Sequence, residues 1–238
     1  MKQSKKICIY CGSATSITAD HIPPKCLFSE RDGLRLITVP ACHQCNNSYA
    51  KDDEYFRIRV CIDASRNQQG DKLWEKKLKP SFCRRPRLRQ SIISRISNVS
   101  ANVRKANGEI ARGKIITFPK PRVDTVLMRI VRGLYWHHYN ERLAVDTLFE
   151  IFQYPEMPSE IKKILLKTNF RAVGREEFKY RYRRSDNNKF TSVWWLSFFM
   201  GSHFLVFTNP RNMNPPSPYP SPQNGGGNTL DDATLSKS

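Results

Sequence analysis

Two Cys-x-x-Cys pairs near the start of the chain constrain its fold more than any other feature. The first pair is Cys8 and Cys11, and the second is Cys42 and Cys45. Two loops of this spacing present four thiolates, which give the tetrahedral coordination of a structural zinc ion. Unmetallated thiols and a redox pair are the alternatives, but a redox pair normally accompanies a βαβ pattern, which this sequence lacks. We therefore predict a zinc site that stabilises the first sixty residues.

The other three cysteines have no partner at ligand spacing, and we expect them to act as small apolar side chains; they are Cys26, Cys61 and Cys83. The segment MKQSKKICIYCG has lysines but no apolar core after them, unlike a signal peptide. No apolar run approaches the ~20 residues that span a bilayer. We expect a cytoplasmic protein without a membrane partner, and in that compartment thiols or metal ligands are commoner than disulfides.

The charge of the chain points to an anionic partner. Its 40 Lys and Arg residues exceed its 21 Asp and Glu residues, which gives a net charge of +19. Fourteen of the basic residues lie between Glu75 and Arg122, a segment with two acidic residues. Nucleic acid is the first candidate partner, ahead of a membrane surface. The arginines expected to neutralise phosphates are Arg84, Arg85, Arg87 and Arg89.

The sequence pattern predicts an α+β protein in three parts. Residues 1–62 form the cysteine-rich module, and residues 63–208 form a basic extension of helices and antiparallel strands. Residues 209–238 are rich in Pro, Asn, Ser and Gly and are predicted to be a disordered tail. The basic segment is a linker in one interpretation, but its many isoleucines favour a folded region with a basic face.

Apolar spacing predicts helices at residues 49–62, 126–135, 143–154 and 158–166. A turn at residues 107–109 predicts a hairpin, and strands are predicted at 178–183, 192–199 and 203–207. The last strands interleave aromatic residues with arginines. Base stacking is one interpretation of these aromatics, but core packing is the commoner reason for aromatic residues in strands, and we favour it.

An Asp-His pair between the two cysteine pairs suggests chemistry that a zinc ribbon used only for binding would not need. Phosphodiester cleavage needs a base that deprotonates water, and neutral imidazole suits this role near neutral pH. It also needs a divalent cation, for which Asp and Asn oxygens are suitable ligands. Asp20, His21 and Asn46 supply these groups. The alternative is that His21 is a hydrogen-bonded structural histidine.

The order CxYCG, DHxxP, LxTVPxC and xxCN resembles the zinc-containing HNH nucleases, also called His-Me finger nucleases, over about residues 7–57. The resemblance implies a ββα-metal module, in which the Asp-His pair lies on the first strand of a hairpin and a helix follows the second strand. It implies that His21 is the general base and that Asp20 and Asn46 hold Mg²⁺ or Mn²⁺. Lys51 matches a lysine that contacts phosphate in this family.

Two positions depart from the family pattern. Arg35 stands where these nucleases usually have the asparagine that fixes the loop orienting the base. The last residue of the triplet is Asn46 in place of histidine, and Asn47 is an alternative ligand if the helix register shifts by one residue.

The resemblance implies a metal-dependent endonuclease that leaves 5′-phosphate and 3′-hydroxyl ends, and we favour DNA over RNA as its substrate. The first alternative is a non-catalytic zinc module that binds nucleic acid, with Arg35 marking a decayed site. The second is a protein-interaction partner in a defence or toxin system. The sequence has no motif for dinucleotide binding, serine hydrolysis or kinase chemistry.

Overall fold

The computed structural model describes residues 7–63, 67–104, 108–154 and 156–210. Within these ranges the chain forms helices and antiparallel sheets, which confirms the predicted α+β class. The predicted tail lies outside the described residues from 211 onward, and so does Asn107 of the predicted turn. No helix in the described ranges is both long and apolar enough to cross a membrane.

The N-terminal part is a hairpin followed by helices. Strands β1 (Ile17–Ile22) and β2 (Ile37–Cys42) pair in antiparallel register, with a short 3₁₀ turn (Lys25–Leu27) in their connection. Helix α1 (His43–Ser48) begins directly after β2, and α2 (Ala50–Cys61) follows it. The Asp20–His21 pair therefore lies on the first strand of a hairpin, helices follow the second strand, and α2 matches the helix predicted at 49–62.

The basic segment is folded, as its isoleucines suggested. Helix α3 (Gln68–Leu73), a π-helical turn (Trp74–Leu78) and α4 (Lys79–Arg84) run without interruption, and α5 (Pro86–Ile93) follows. Pro86 is tolerated because it occupies the first turn of α5, where its missing N–H has no helical partner to lose. The predicted hairpin is confirmed as β3 (Ile96–Arg104) and β4 (Ile110–Ile116), whereas the helices before it were not predicted.

The C-terminal part is a long helix packed against a sheet. Helix α6 (Lys120–Tyr139) contains the predicted apolar stripe, and α7 (Ser159–Leu165) matches the helix predicted at 158–166. The antiparallel sheet has the order β5-β9-β8-β7-β6. Its strands are β5 (Leu148–Tyr154), β6 (Arg171–Val173), β7 (Phe178–Arg184), β8 (Ser192–Phe198) and β9 (Ser202–Asn209).

The prediction of a helix at residues 143–154 is wrong. Leu148–Tyr154 is the edge strand β5, which pairs with β9 along its full length. Ile151 faces the main core, while Phe152 and Tyr154 pack with α7 on the other face of the sheet. A strand with apolar residues on both faces lacks clean alternation, so its apolar spacing resembles that of a helix. Its aromatic residues favour a strand.

One core joins the N-terminal hairpin to the rest of the described chain. A Cβ on Gly133 of α6 would lie 2.4 Å from Ile22 Cγ1, so glycine permits the close approach of α6 to β1. Phe56 of α2 packs edge-to-face against Phe198 of β8, with ring centroids 5.0 Å apart. Residues on both sides of the boundary predicted at 62 therefore share this core.

The aromatic residues of the last strands mainly pack in the core, which is the interpretation that the sequence pattern favoured over base stacking. Trp194 and Tyr180 are buried in the main core. Trp195 is buried on the opposite face of the sheet, where it packs with Leu165 of α7. Core packing therefore explains three of the aromatics that alternate with basic residues, while Tyr182 is half-buried.

Candidate functional site

The four predicted ligand cysteines come together in one cluster. The sulfur atoms of Cys8, Cys11, Cys42 and Cys45 all lie within 4.8 Å of one another, and Cys11 Sγ is 3.7 Å from Cys42 Sγ. Four sulfurs around zinc at about 2.3 Å would be separated by about 3.8 Å. The cluster is therefore compatible with a structural zinc site, and thiolate donors suit zinc better than they suit a hard cation.

Local backbone geometry builds each half of this cluster. Gly12 has φ +84°, and its amide donates to the Cys8 carbonyl at 2.9 Å. A Cβ at Gly12 would also lie 2.3 Å from Arg142 Nη1, but this is the end of a flexible side chain that can move, so the positive φ is the main reason for glycine. In the second half, the Cys45 amide donates to Cys42 Sγ at 3.4 Å. Burial opposes ionisation of Cys8, but backbone hydrogen bonds outweigh it and lower the thiol pKa to about 7.

The remaining cysteines lie apart from the cluster. Cys61 is buried in α2, and its thiol donates to the Gly70 carbonyl at 3.2 Å. Burial raises the pKa of Cys26 to about 12, so this thiol is neutral. Cys83 differs from the prediction of an apolar role, because it is exposed on α4.

A cavity of about 470 Å³ lies beside the β1-β2 hairpin and brings together the predicted catalytic residues. Asp20, His21 and Asn46 line it, and so does Asn47. The charged residues that share the lining were not predicted from the sequence; they are Lys25, Asp53, Glu54, Arg57 and Arg129. We refer to this cavity as the hairpin cavity.

Asp20 connects the hairpin cavity to the cysteine cluster. The residue is 4% exposed, and its Oδ2 accepts a 2.6 Å hydrogen bond from the hydroxyl of Tyr10, which lies between Cys8 and Cys11. The same oxygen lies 3.2 Å from Arg129 Nε. Burial, and then the nearby Asp20 carboxylate, raise the pKa of Tyr10 well above its ordinary value, so the phenol remains a donor. In the described ranges no hydrogen bond reaches Oδ1, which leaves this oxygen to act as a ligand.

Asn46 is fixed against β1 through its amide nitrogen. Nδ2 donates to Thr18 Oγ1 at 3.0 Å and to the Ala19 carbonyl at 3.3 Å. Within the described part of the chain these contacts leave the amide oxygen as the group available to bind a cation. Asn47 instead contacts the ring of His43 at 2.8 Å, one turn earlier in α1, and is less firmly tied to the hairpin.

His21 lies opposite Thr38 in the hairpin and is half-buried at the wall of the cavity. Burial is the main reason that its pKa lies below the ordinary value. The positive charge of Lys25 lowers the pKa further, while Asp20 opposes the shift. The imidazole is therefore in the neutral form near neutral pH, the form that can accept a proton.

Arg129 is the main residue that sequence reasoning missed. It is 3% exposed and forms a bidentate pair with Asp53, with Nη1–Oδ1 at 2.8 Å and Nη2–Oδ2 at 2.9 Å. Burial disfavours the charged guanidinium, but Asp53 and then Asp20 outweigh it and raise the pKa of Arg129 above its ordinary value. No periodic signal marked it, because at about 100° per residue Arg129 lies outside the apolar stripe that Val126, Ile130 and Leu134 form.

The turn between α4 and α5 reaches the hairpin cavity through an ion pair. Arg85 pairs with Glu54, which also lies 3.5 Å from Arg57. The other predicted phosphate contacts are exposed and do not line the cavity; they are Lys51, Arg84, Arg87 and Arg89. Arg35, the departure from the nuclease pattern, is also exposed and outside the lining.

Comparisons with known proteins give no match for this chain among family models, curated proteins or solved structures. The function is therefore inferred from the cysteine cluster, the hairpin cavity and the charge around them.

Proposed function

We propose that the protein is a metal-dependent endonuclease of the HNH type that hydrolyses phosphodiester bonds at the hairpin cavity. The observation that carries this proposal is the shared lining: Asp20, His21 and Asn46 face one cavity beside a four-cysteine cluster. A base and two oxygen ligands in one cavity are the groups that this reaction needs.

In the proposed reaction, the neutral imidazole of His21 accepts a proton from water. The water oxygen forms a bond to phosphorus while the bond from phosphorus to the 3′ oxygen breaks, and the 3′ oxygen takes a proton from solvent. The products have a 5′-phosphate and a 3′-hydroxyl. Mg²⁺ or Mn²⁺ bound by Asp20 Oδ1 and Asn46 Oδ1 would offset the charge on the phosphate and the leaving oxygen.

The support for an anionic substrate comes from the surface beside the hairpin cavity. Within the lining, Lys25, Arg57 and Arg129 are balanced by Asp20, Asp53 and Glu54. Beyond the rim, Arg85 links the cavity to the exposed arginines of α4 and α5. This basic surface would neutralise several phosphates on a nucleic acid, and we propose DNA ahead of RNA as the substrate.

A second candidate function is a zinc-stabilised module that binds nucleic acid without cleaving it. The Arg129–Asp20 contact favours this candidate, because a guanidinium already neutralises the carboxylate that would hold the catalytic cation. Arg35 is also exposed, so it does not fix the loop that would orient His21 in the way that the asparagine of the nuclease pattern does. This candidate uses the same basic surface but needs no proton transfer by His21.

Cleavage assays with and without added divalent cation separate the two candidates. Supercoiled plasmid and a single-stranded RNA would be incubated with the protein in Mg²⁺, in Mn²⁺ and without added metal. We expect metal-dependent nicking of the plasmid, with slower cleavage of the RNA. Protein that cleaves neither substrate in either metal, but shifts DNA in a salt-dependent manner, would support the binding module instead.

Matched asparagine variants test the proposed ligand. Asn46→Ala should reduce the cleavage rate by about 100-fold, whereas Asn47→Ala should stay within about threefold of the unmodified protein, because Asn47 contacts His43 rather than β1. Equal losses in the two variants would contradict the assignment of Asn46 as ligand.

A further inference from the structure

A second and larger cavity, of about 790 Å³, lies at the C-terminal end of α6. We call it the basic cavity. Its walls come from the end of α6, the segment after α7, strands β6 and β7, and the turn before β8. The lining residues used below are Tyr139, Lys167, Phe170, Arg171, Tyr182 and Arg183. It shares no lining residue with the hairpin cavity.

The charge of the basic cavity is strongly one-sided. Its basic lining residues are Lys167, Arg171, Arg183, Arg184 and Lys189, whereas its acidic lining residue is Asp186. Asp186 lies 3.6 Å from Arg183 and is 89% exposed, so it offsets little of the charge. Glu141, which is not part of the lining, pairs with Arg184 and Lys189. Lys167 and Arg171 form no ion pair with any residue in the described ranges, so their charges remain available to a ligand.

The same cavity offers aromatic surface. Phe170 is 49% exposed, and the guanidinium of Arg181 lies 3.9 Å from its ring centroid. The rings of Tyr139 and Tyr182 form more of the wall. Tyr182 is held in place by stacking on Trp194, with centroids 4.7 Å apart and an interplanar angle of 14°. Aromatic rings beside basic side chains are the combination that proteins use to bind unpaired nucleotides.

We propose that the basic cavity binds a nucleotide, with its phosphate at Lys167 and Arg171 and its base stacked on the face of the Phe170 ring that Arg181 does not cover. The nucleotide is either a unit of a single strand or a free nucleotide, because both present a phosphate and an unpaired base. The volume lies within the range of about 300–1,000 Å³ that small-molecule sites occupy. This proposal does not rest on cleavage at the hairpin cavity, since a binding module would need such a site as well.

Helix α6 sets the separation of the two cavities. Arg129 lies in the hairpin cavity and Tyr139 in the basic cavity. At 1.5 Å per residue these positions are roughly 15 Å apart along the helix axis. A strand that occupied both cavities would have to span at least this distance.

The test measures binding of a fluorescent twelve-nucleotide single strand by anisotropy, without added divalent cation so that no cleavage occurs. The Lys167→Ala/Arg171→Ala variant should bind about tenfold more weakly, and the slope of log affinity against log salt should fall by about 1. Phe170→Ala should bind about fivefold more weakly with an unchanged salt slope. All of the altered side chains are on or near the surface, and a melting curve for each variant verifies that it folds.

The matched control is Lys162→Ala/Lys163→Ala on α7, which removes the same charge from exposed positions outside the cavity lining. We expect it to bind within about twofold of the unmodified protein. Cavity variants that bind as tightly as this control would overturn the proposal.

Three competitors identify the ligand. Displacement by adenosine monophosphate would show that a free nucleotide occupies the cavity, and displacement only by an unlabelled oligonucleotide would show that it takes a strand. Both results support a nucleotide site. If inorganic polyphosphate displaces the strand as well as the oligonucleotide does, and Phe170→Ala has no effect, then the cavity is a simple anion site and the proposal is wrong.

Discussion

The hydroxyl of Tyr10 donates a 2.6 Å hydrogen bond to Oδ2 of Asp20. Tyr10 lies between two cysteines of the metal cluster, and Asp20 lines the hairpin cavity. The bond therefore couples the part of the molecule that metal would stabilise to the part that we propose as a catalytic site.

The variant Tyr10→Phe tests this coupling. Removal of a buried hydrogen bond to a carboxylate should lower the free energy of unfolding by about 1–2 kcal/mol, measured by urea denaturation. Zinc content should be unchanged, because the cysteine ligands remain. Tyr49→Phe is the matched control, since Tyr49 packs beside Tyr10 at 6.2 Å between ring centroids and makes no hydrogen bond to Asp20. A Tyr10→Phe protein as stable as the control would show that the bond contributes nothing.

Arg129 should contribute far more to stability than a surface arginine. Arg129→Met leaves Asp20 and Asp53 buried without their cation, which should cost about 3–5 kcal/mol. Arg122→Met removes a half-exposed arginine that pairs with Asp52 at 2.7 Å, and it should cost at most about 1 kcal/mol. Urea denaturation of the two variants measures both costs. Similar losses in the two would contradict the buried network.

Loss of metal should unfold the N-terminal hairpin and its helices. Because structural zinc supplies folding free energy, Cys45→Ser should lose its bound zinc and melt at a lower temperature. Cys83→Ser, which alters an exposed thiol on α4, should keep one zinc ion per chain and its melting temperature. Elemental analysis and calorimetry measure both properties. A Cys45→Ser protein that retains zinc and melting temperature would exclude the cluster as the metal site.

Stability should fall in mild acid because of His138. Burial is the main reason that its pKa is lowered to about 4, and its Nε2 lies 2.9 Å from the Tyr180 hydroxyl. Between pH 6.5, where an unfolded histidine titrates, and pH 4, the unfolded chain binds a proton that the folded chain does not. The free energy of unfolding should therefore decrease by about 2 kcal/mol across this range.

The variant His138→Gln cannot take up this proton, and its stability should depend less on pH over the same range. Urea denaturation at several pH values compares the two proteins. Identical pH dependence in both would show that other groups are responsible.

Features with local signals were predictable from the sequence. The cysteine spacing predicted the cluster, and the apolar period predicted α2 and α6, because each depends on residues a few positions apart. The ion pairs of Arg129 with Asp20 and Asp53 join α6 to β1 and α2, elements that are distant in sequence and meet only through the shared core. No local pattern specifies such partners. Arg129 also lies outside the apolar stripe of α6, so the helical period did not mark it as buried.

Strand β5 and the helices of the basic segment show a second reason why prediction from the sequence failed. The spacing of apolar residues identifies a strand most clearly when only one of its faces is buried, whereas β5 is covered on both faces. Helices α4 and α5 are short and basic, with proline in the first turn of each, so they present little apolar period. They contact each other, and the Arg85–Glu54 ion pair joins the turn between them to α2.

The most direct test of the proposed function is the single-turnover cleavage rate of His21→Ala in Mg²⁺, beside His43→Ala. His43 is an exposed histidine of α1 outside the hairpin cavity, so it controls for loss of an imidazole near the cysteine cluster. Removal of a general base should lower the rate by about 10²–10⁴-fold in His21→Ala, while His43→Ala should cleave at nearly the unmodified rate. Equal cleavage by His21→Ala and the unmodified protein would contradict the assignment of His21 as the base.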